Sequence, residues 1–297
     1  MLPQFKIARF TVGFCFGRGI VWKGYDNLGK FSGMLFCTDL DGTLYSDDKT
    51  VSKENLDAIE YFKSEGGLFT FITGRVPQTS VHICNTIKPN APFGCFNGGA
   101  VYDPVTEKYL YTILLPKEAS ELIDFVDRNL PEIGIQLTTE QNAYFLKDSS
   151  ALVLFRKITG LPFLTANFDE EKEPVLRVAF AHTDGEKMDE LIRLLESHPK
   201  SKDFDLIRSE KIYYEILPKG VSKGLALTKI AELLGIDPKN TIAVGDYNND
   251  ISMIKAAGIG FAVENAVEEA KAAADFITVS NNDSAIAAIV NYLDGIK

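Results

Sequence analysis

The amino-acid sequence predicts an α/β protein: a doubly wound parallel sheet interrupted by an inserted α+β unit. Three observations carry that prediction. Short apolar runs alternate with helical patterns from residue 34 to 96, and the alternation resumes at 223. Several of those runs end in a polar, glycine-bearing turn. Between about 114 and 213 the order changes to hairpins and separate helices, with no repeat or low-complexity linker at either junction.

Met34 to Cys37 reads as a buried strand running out through Thr38-Asp39, Asp41 and Gly42-Thr43. Ser52 caps a helix to about Glu65, with Leu56, Ile59 and Phe62 as its apolar stripe and Gly66-Gly67 as its stop. Leu68 to Ile72 is a second strand, ending in Thr73-Gly74-Arg75. Pro77 opens a helix to about Ile87. Phe93 to Phe96 is a third strand before Asn97-Gly98-Gly99, and Ala100 to Tyr102 with Tyr109 to Leu114 make a hairpin.

The insert reads as a helix from Pro116 to Asn129, strands Ile135 to Thr139 and Ala143 to Leu146, and a helix from Ser150 to Ile158. An acidic loop, Phe163 to Glu173, follows. Strand Leu176 to Ala181, helix Glu186 to Glu196 and strands Phe204 to Arg208 and Tyr213 to Leu217 complete it. The parallel pattern returns with helix Lys223 to Leu234, stopped by Gly235. Strand Thr241 to Val244 then runs into Gly245-Asp-Tyr-Asn-Asn-Asp250. Helix Ile251 to Ala257, strand Ile259 to Val263, helix Val267 to Ala274, strand Phe276 to Val279 and helix Ser284 to Leu293 end the chain. The expected division is a core of 34–113 and 214–297, an insert of 114–213, and an N-terminal extension of 1–33 outside the core. That extension, which holds Trp22, has no small-residue cleavage site of a signal peptide, and suits an upstream start ahead of Met34.

The chain has 297 residues, 45% apolar and 24% charged, with a net charge of −10. That acidity argues against non-specific nucleic-acid binding, which needs a basic face. No apolar run approaches a membrane span. Cys15, Cys37, Cys84 and Cys95 form no Cys-x-x-Cys pair. Cys37 and Cys95 lie in apolar strand-like runs and read as buried thiols, giving a reducing, cytoplasmic setting. His82, His182 and His198 fall in no ligand spacing.

In an open α/β sheet, ligands bind at the carboxyl ends of the strands. Asp39 and Asp41 lie there. Asp-x-Asp at a strand end can be a solvated turn, each Asp bonding its own backbone. It can also supply a carboxylate that attacks phosphorus and gathers a hard divalent cation. The other strand ends favour the second reading. They add Thr73, a lysine near the start of the 223 helix, and Asp246 with Asp250, an inventory suited to phosphoryl transfer. A hydroxyl and an ammonium can take the phosphoryl oxygens that a metal leaves free. No Walker or Rossmann glycine loop is present, so nucleotide-dependent transfer is not indicated.

The ordered set Asp39-Leu-Asp-Gly-Thr-Leu44, Thr73-Gly-Arg75, Asn97-Gly-Gly-Ala100, Lys219-Gly-Val-Ser-Lys-Gly224 and Gly245-Asp-Tyr-Asn-Asn-Asp250 resembles the haloacid dehalogenase superfamily of phosphohydrolases. More narrowly, it resembles the Cof-type phosphatases, with a large cap between the second and third motifs. Ala256-Ala-Gly258 and Asn265-Ala266 also fit, whereas Glu264 stands where many relatives have glycine.

The resemblance implies a Rossmann-like core and an aspartyl-phosphate intermediate. Asp39 would be the nucleophile, and Asp41 the general acid and then base, its carbonyl also a metal ligand. Thr73, Gly74, Lys223 and Asn249 would bind or support the phosphoryl group. Asp39, Asp41, Asp246 and Asp250 would make the Mg²⁺ site, Asp250 through a water or by orienting Lys223. Lys219 is expected to be peripheral, while Arg75 could bind substrate or pair with an acidic neighbour. The expected activity is hydrolysis of a small phosphorylated metabolite: a sugar phosphate, a nucleotide or a phosphorylated cofactor. A phosphomutase and a non-catalytic phosphometabolite-binding regulator are the alternatives.

Overall fold

The structure is a computed structural model that describes residues 29–166, 168 and 173–296. Most of the 1–33 extension, with Trp22 and Cys15, lies outside the described residues, as does the centre of the acidic loop.

The first sheet is parallel. Its strands are β1 (Leu35–Thr38), β2 (Leu68–Phe71), β11 (Thr241–Gly245), β12 (Ile259–Ala262) and β13 (Phe276–Ile277), ordered β13-β12-β11-β1-β2. The chain passes outward from β1 on both sides, so β1 and β11 sit side by side at its centre. Side chains alternate across the pleat. Phe36 and Val244 face a core shared with α1 (Lys53–Ser64) and α9 (Ala285–Gly295). Leu35, Cys37 and Ala243 face α6 (Lys223–Leu234) and α7 (Ile251–Ala256). Both faces being covered explains why these strands read as continuous apolar runs. After α2 (Pro77–Ile87), β3 (Phe93–Cys95), β4 (Ala100–Asp103) and β5 (Lys108–Thr112) form a small antiparallel sheet beside β2.

The second sheet is antiparallel, with β6 (Gly134–Thr139), β7 (Ala143–Lys147), β8 (Val175–Ala181), β9 (Phe204–Glu210) and β10 (Tyr213–Pro218) in the order β7-β6-β8-β10-β9. One face buries Ile135, Leu137, Val178, Phe180, Tyr214 and Ile216 against α3 (Ala119–Asn129) and α5 (Gly185–Ser197). The alternate positions, Gln136, Arg177, Ala179 and Glu215, are turned to a cleft shared with the first sheet. Helix α4 (Ser150–Thr159) flanks that face through Phe155.

Two boundaries differ from the sequence reading. The second sheet runs through Pro218, so the expected boundary at 213 falls at the start of β10, which pairs with β8 on one side and β9 on the other. The core begins before Met34: Phe31 is fully buried and stacks on Phe62 at 4.7 Å between ring centroids. A lone aromatic ahead of the first strand carries no periodicity, so the sequence offered no sign of it.

Candidate active site

The carboxyl ends of β1, β2 and β11 open into a cleft of about 620 Å³. Asp39, the residue after β1, donates its backbone N–H to Val244 of β11, which fixes the carboxylate at the sheet's centre. Gly42 then turns the chain at φ +82°. A Cβ there would stand 2.6 Å from Asp246 Oδ2, so only glycine lets the two loops approach. Thr43 donates its hydroxyl to Asp246 Oδ1 at 2.8 Å, and Asn265 holds the Gly42 carbonyl at 2.8 Å.

Lys223 is the first residue of α6, whose N-terminus is capped by Ser222. Its ammonium is buried and donates to Asp39 Oδ1 and Asp250 Oδ1, both at 2.6 Å. Asp250 Oδ2 accepts the backbone N–H groups of Asp246 and Tyr247, each at 3.0 Å. Asp250 therefore stands behind Lys223, outside the cleft lining, and orients it.

Carboxylate oxygens of Asp39, Asp246 and Asp250 all lie within 4.8 Å of one another. Burial and the neighbouring carboxylates Asp250 and Asp246 push the Asp39 carboxyl well above its ordinary range, against the pull of Lys223. Burial and Asp250 push Asp246 up to about 6. Burial opposes the charge on Lys223 too, but Asp250 and Asp39 outweigh it and hold the ammonium protonated. Anionic charge crowded beside one ammonium, with hard oxygen donors, is the chemistry of a divalent-cation site. Asp39 and Asp246 would hold the ion, and Asp250 has both oxygens already engaged. The Asp41 side chain does not join this acidic group.

Asp41 instead accepts Arg75 Nε and Nη2 at 2.9 and 2.8 Å and Lys49 Nζ at 3.0 Å. Burial opposes its ionisation, but the Arg75 guanidinium and then Lys49 outweigh it and hold the carboxyl below its ordinary value. Of the two readings of Arg75, pairing with an acidic neighbour is the one this arrangement displays. Lys219 is bound to Asp205 at 3.0 Å and is not among the residues lining the cleft. His182 and His198 each accept a local backbone N–H.

The motif around Asn97 has a part the sequence did not disclose. Phe96 and Asn97 both adopt left-handed backbone, at φ 52° and 54°. That conformation is costly for a phenylalanine, though readily adopted by an asparagine, and persists where surroundings enforce it. Here the surroundings are Gly98, at φ +101°, where a Cβ would lie 1.9 Å from the Ser222 carbonyl. The result aims the Asn97 amide between two partners. Its Oδ1 accepts Asn249 Nδ2 at 3.0 Å and its Nδ2 donates to Glu215 Oε2 at 3.2 Å. Glu215 in turn pairs with Arg177 at 2.6 Å, and Arg177 donates to the Gly74 carbonyl at 3.0 Å. The Arg177 guanidinium lies 5.5 Å over the Phe96 ring. A continuous run of polar contacts therefore joins the cleft's floor to the second sheet, with Asn249 and Gly74 as its two ends. Arg177 and Glu215 carried no sequence signal, because each reads as an ordinary polar residue alternating on a strand.

Residues 36–290 match the family model of haloacid dehalogenase-like hydrolases. The Bacillus subtilis protein YxeH, whose name assigns it provisionally to the phosphatases, is 30% identical over 87% of this chain and 97% of its own. A second B. subtilis protein, the 5-amino-6-(5-phospho-D-ribitylamino)uracil phosphatase YwtE, is 27% identical over 86% and 96%. A crystal structure of a haloacid dehalogenase-like hydrolase from Bacteroides thetaiotaomicron superposes with a TM-score of 0.76 at 25% identity, covering 88% of this chain and 99% of that one. With its motifs gathered at one sheet edge and these relatives matched along nearly their full lengths, the chain belongs to the haloacid dehalogenase-like hydrolases, as a phosphatase of the Cof type.

Proposed function

We propose that the protein is a Mg²⁺-dependent phosphatase acting on a small phosphorylated metabolite through an aspartyl-phosphate on Asp39. The observation that carries this reading is the convergence of Asp39, Thr73, Lys223 and Asp246 on one cleft, with Lys223 holding Asp39 Oδ1 at 2.6 Å. In the first step an Asp39 oxygen forms the new bond to phosphorus as the bond to the leaving oxygen breaks. Asp41 gives that oxygen a proton. In the second step Asp41 takes a proton from water, which attacks phosphorus and frees Asp39. Thr73 and Lys223 donate to the phosphoryl oxygens. The ion, held by Asp39, Asp246 and the Asp41 carbonyl, would neutralise charge on the transferring group.

Asp41 must part from Arg75 to reach a leaving group, and an entering phosphate is the natural second partner for that guanidinium. An acid placed for this purpose has no use in a protein that only binds. The unit from about 114 to 218 would act as a cap that closes the cleft and selects the substrate. The phosphorylated ribityl compound named for YwtE, at 27% identity, indicates one substrate type worth assaying. A cytoplasmic setting fits a pool of such metabolites. Among the described residues no helix is long and apolar enough to cross a membrane.

The test is phosphate release from p-nitrophenyl phosphate and from a panel of sugar phosphates, nucleotides and phosphorylated cofactors, with and without Mg²⁺. Release that depends on Mg²⁺ and disappears in Asp39→Asn is the expected result. Release that Asp39→Asn leaves intact would overturn the nucleophile assignment.

A further inference from the structure

The cap's cleft-facing surface carries one amide that the described residues leave unmet. Gln136 lies within β6, 2% exposed, and its Nε2 is buried with no hydrogen-bond partner among them. Buried amides are ordinarily satisfied, and a methionine of similar volume would fill this position without an unmet donor. An unmet amide in a ligand cleft is accounted for if its partner arrives with the ligand.

The sheet register shows what that partner meets. Gln136 is aligned with Ala179 on β8, and Ala179 with Glu215 on β10. All three line the cleft that also holds Asp39, Thr73 and Lys223. Because Ala179 is short, the face between Gln136 and Glu215 is recessed. Glu215 is already engaged, with Oε1 accepting Arg177 and Ser209 and Oε2 accepting Asn97. Gln136 has no such tie. A half-turn about its last side-chain bond exchanges amide N–H and C=O at the cleft, and no hydrogen bond to the described residues resists it. An alcohol hydroxyl likewise both donates and accepts.

We propose that Gln136 is a specificity-determining residue that reads a hydroxyl of the leaving group, selecting sugar or polyol phosphates over phosphate esters without hydroxyls. This rests on the phosphatase reading above. Phosphate transfer from the substrate is unchanged by it; only the recognised portion of the alcohol is named.

The experiment compares the full chain with Gln136→Met, in Mg²⁺, on a panel of pentose, hexose and polyol phosphates and on p-nitrophenyl phosphate, whose leaving group has no further hydroxyl. The ratio of kcat/KM for the best hydroxylated substrate to that for p-nitrophenyl phosphate is expected to fall about tenfold, chiefly through KM. The melting temperature should hold or rise, since an unmet buried donor has been removed. Ala179→Leu, which fills the recess, should depress the same ratio. An unchanged ratio in Gln136→Met overturns the proposal, as does a wild-type preference for esters without hydroxyls. A clear loss of melting temperature also overturns it, because the amide would then be holding the fold. Absence of phosphate release from every compound by the wild type is a different failure, that of the phosphatase reading itself.

Discussion

The two sheets present chemistry in different ways. In the parallel sheet, Asp39, Thr73 and Asp246 follow the ends of β1, β2 and β11, where the chain has left the ladder and can turn a side chain into the cleft. In the antiparallel sheet, Gln136, Arg177 and Glu215 stand within strands and face the cleft through the pleat. Strand ends carry groups in short contiguous runs, one per motif. A strand face collects single residues from distant segments: Arg177 and Glu215 are separated by 38 positions in sequence. The first arrangement suits a fixed reaction. The second can change one residue at a time while the ladder stays intact, which suits selection among substrates. Substitutions at strand ends should therefore abolish turnover on every substrate, and those on the strand face should alter which substrate is preferred.

The largest effect expected is that of Asp39→Asn. The amide is close in shape but a poor nucleophile, and turnover should fall by at least about 10⁴-fold on all substrates alike. Steady-state phosphate release on p-nitrophenyl phosphate and on the best metabolite checks both the size and the uniformity. A loss confined to one substrate would break the contrast between the sheets. Asp41→Asn comes next, with a loss of about 10² to 10⁴-fold, the usual range for proton transfer by a positioned side chain. Substrates with good leaving groups, such as p-nitrophenol, need less protonation and should be affected less in the first step.

That the strand-end residues were legible and the face residues were not follows from the same difference. Asp39-x-Asp41, Thr73-Gly-Arg75 and the run from Gly245 to Asp250 each place several chemical groups within a few positions, so local reading finds them. Strand and helix placement was legible for a related reason: both faces of the core sheet are buried, which leaves uninterrupted apolar runs between glycine-bearing turns. The Asn249–Asn97–Glu215–Arg177 contacts depend on cross-strand register and on two left-handed residues, Phe96 and Asn97, neither of them a glycine. The bidentate hold of Arg75 on Asp41 was one of two readings in sequence, and only geometry separates them.

Glu215→Gln tests the strand face at a smaller scale of activity. It removes a charge from a buried pair whose side chains are 7% and 4% exposed, for Arg177 and Glu215 respectively. Breaking such a pair from one side destabilises by about 3–5 kcal/mol, because the remaining charge is buried uncompensated. Thermal or urea unfolding would register this. On activity, we expect KM for the metabolite to rise about tenfold with kcat for p-nitrophenyl phosphate less affected, since the cap's hold on Asn97 and Gly74 weakens while the strand-end groups stay in place. A fall in kcat as deep as that of Asp41→Asn would show that Glu215 serves the reaction and not the choice of substrate.

The smallest effect expected is on stability, and it separates the two sheets by their response to pH and metal. Asp246 has its carboxyl raised to about 6, from an ordinary value of 3.8, and Asp39 is raised as well, burial being the leading cause in each case. In the metal-free chain these groups bind protons in the folded state that the unfolded state has already released. Between the two values the folded state carries more protons, so stability falls as pH rises through that window and stays lower above it. A divalent cation replaces those protons. Its stabilisation should therefore be larger at about pH 7 than at about pH 5, reaching about 2.7 kcal/mol when Mg²⁺ is at about 100 times its dissociation constant. Melting temperatures of a metal-stripped sample at both pH values, with and without Mg²⁺, measure it. Asp246→Asn removes the carboxylate raised to about 6 and should flatten the pH dependence of the metal-free chain across that window while abolishing most of the Mg²⁺ shift. Gln136→Met, on the other sheet, should leave both in place. A Mg²⁺ shift that is equal at the two pH values, or larger at the lower one, would mean that the ion is not displacing protons from this acidic group and binds elsewhere on the chain.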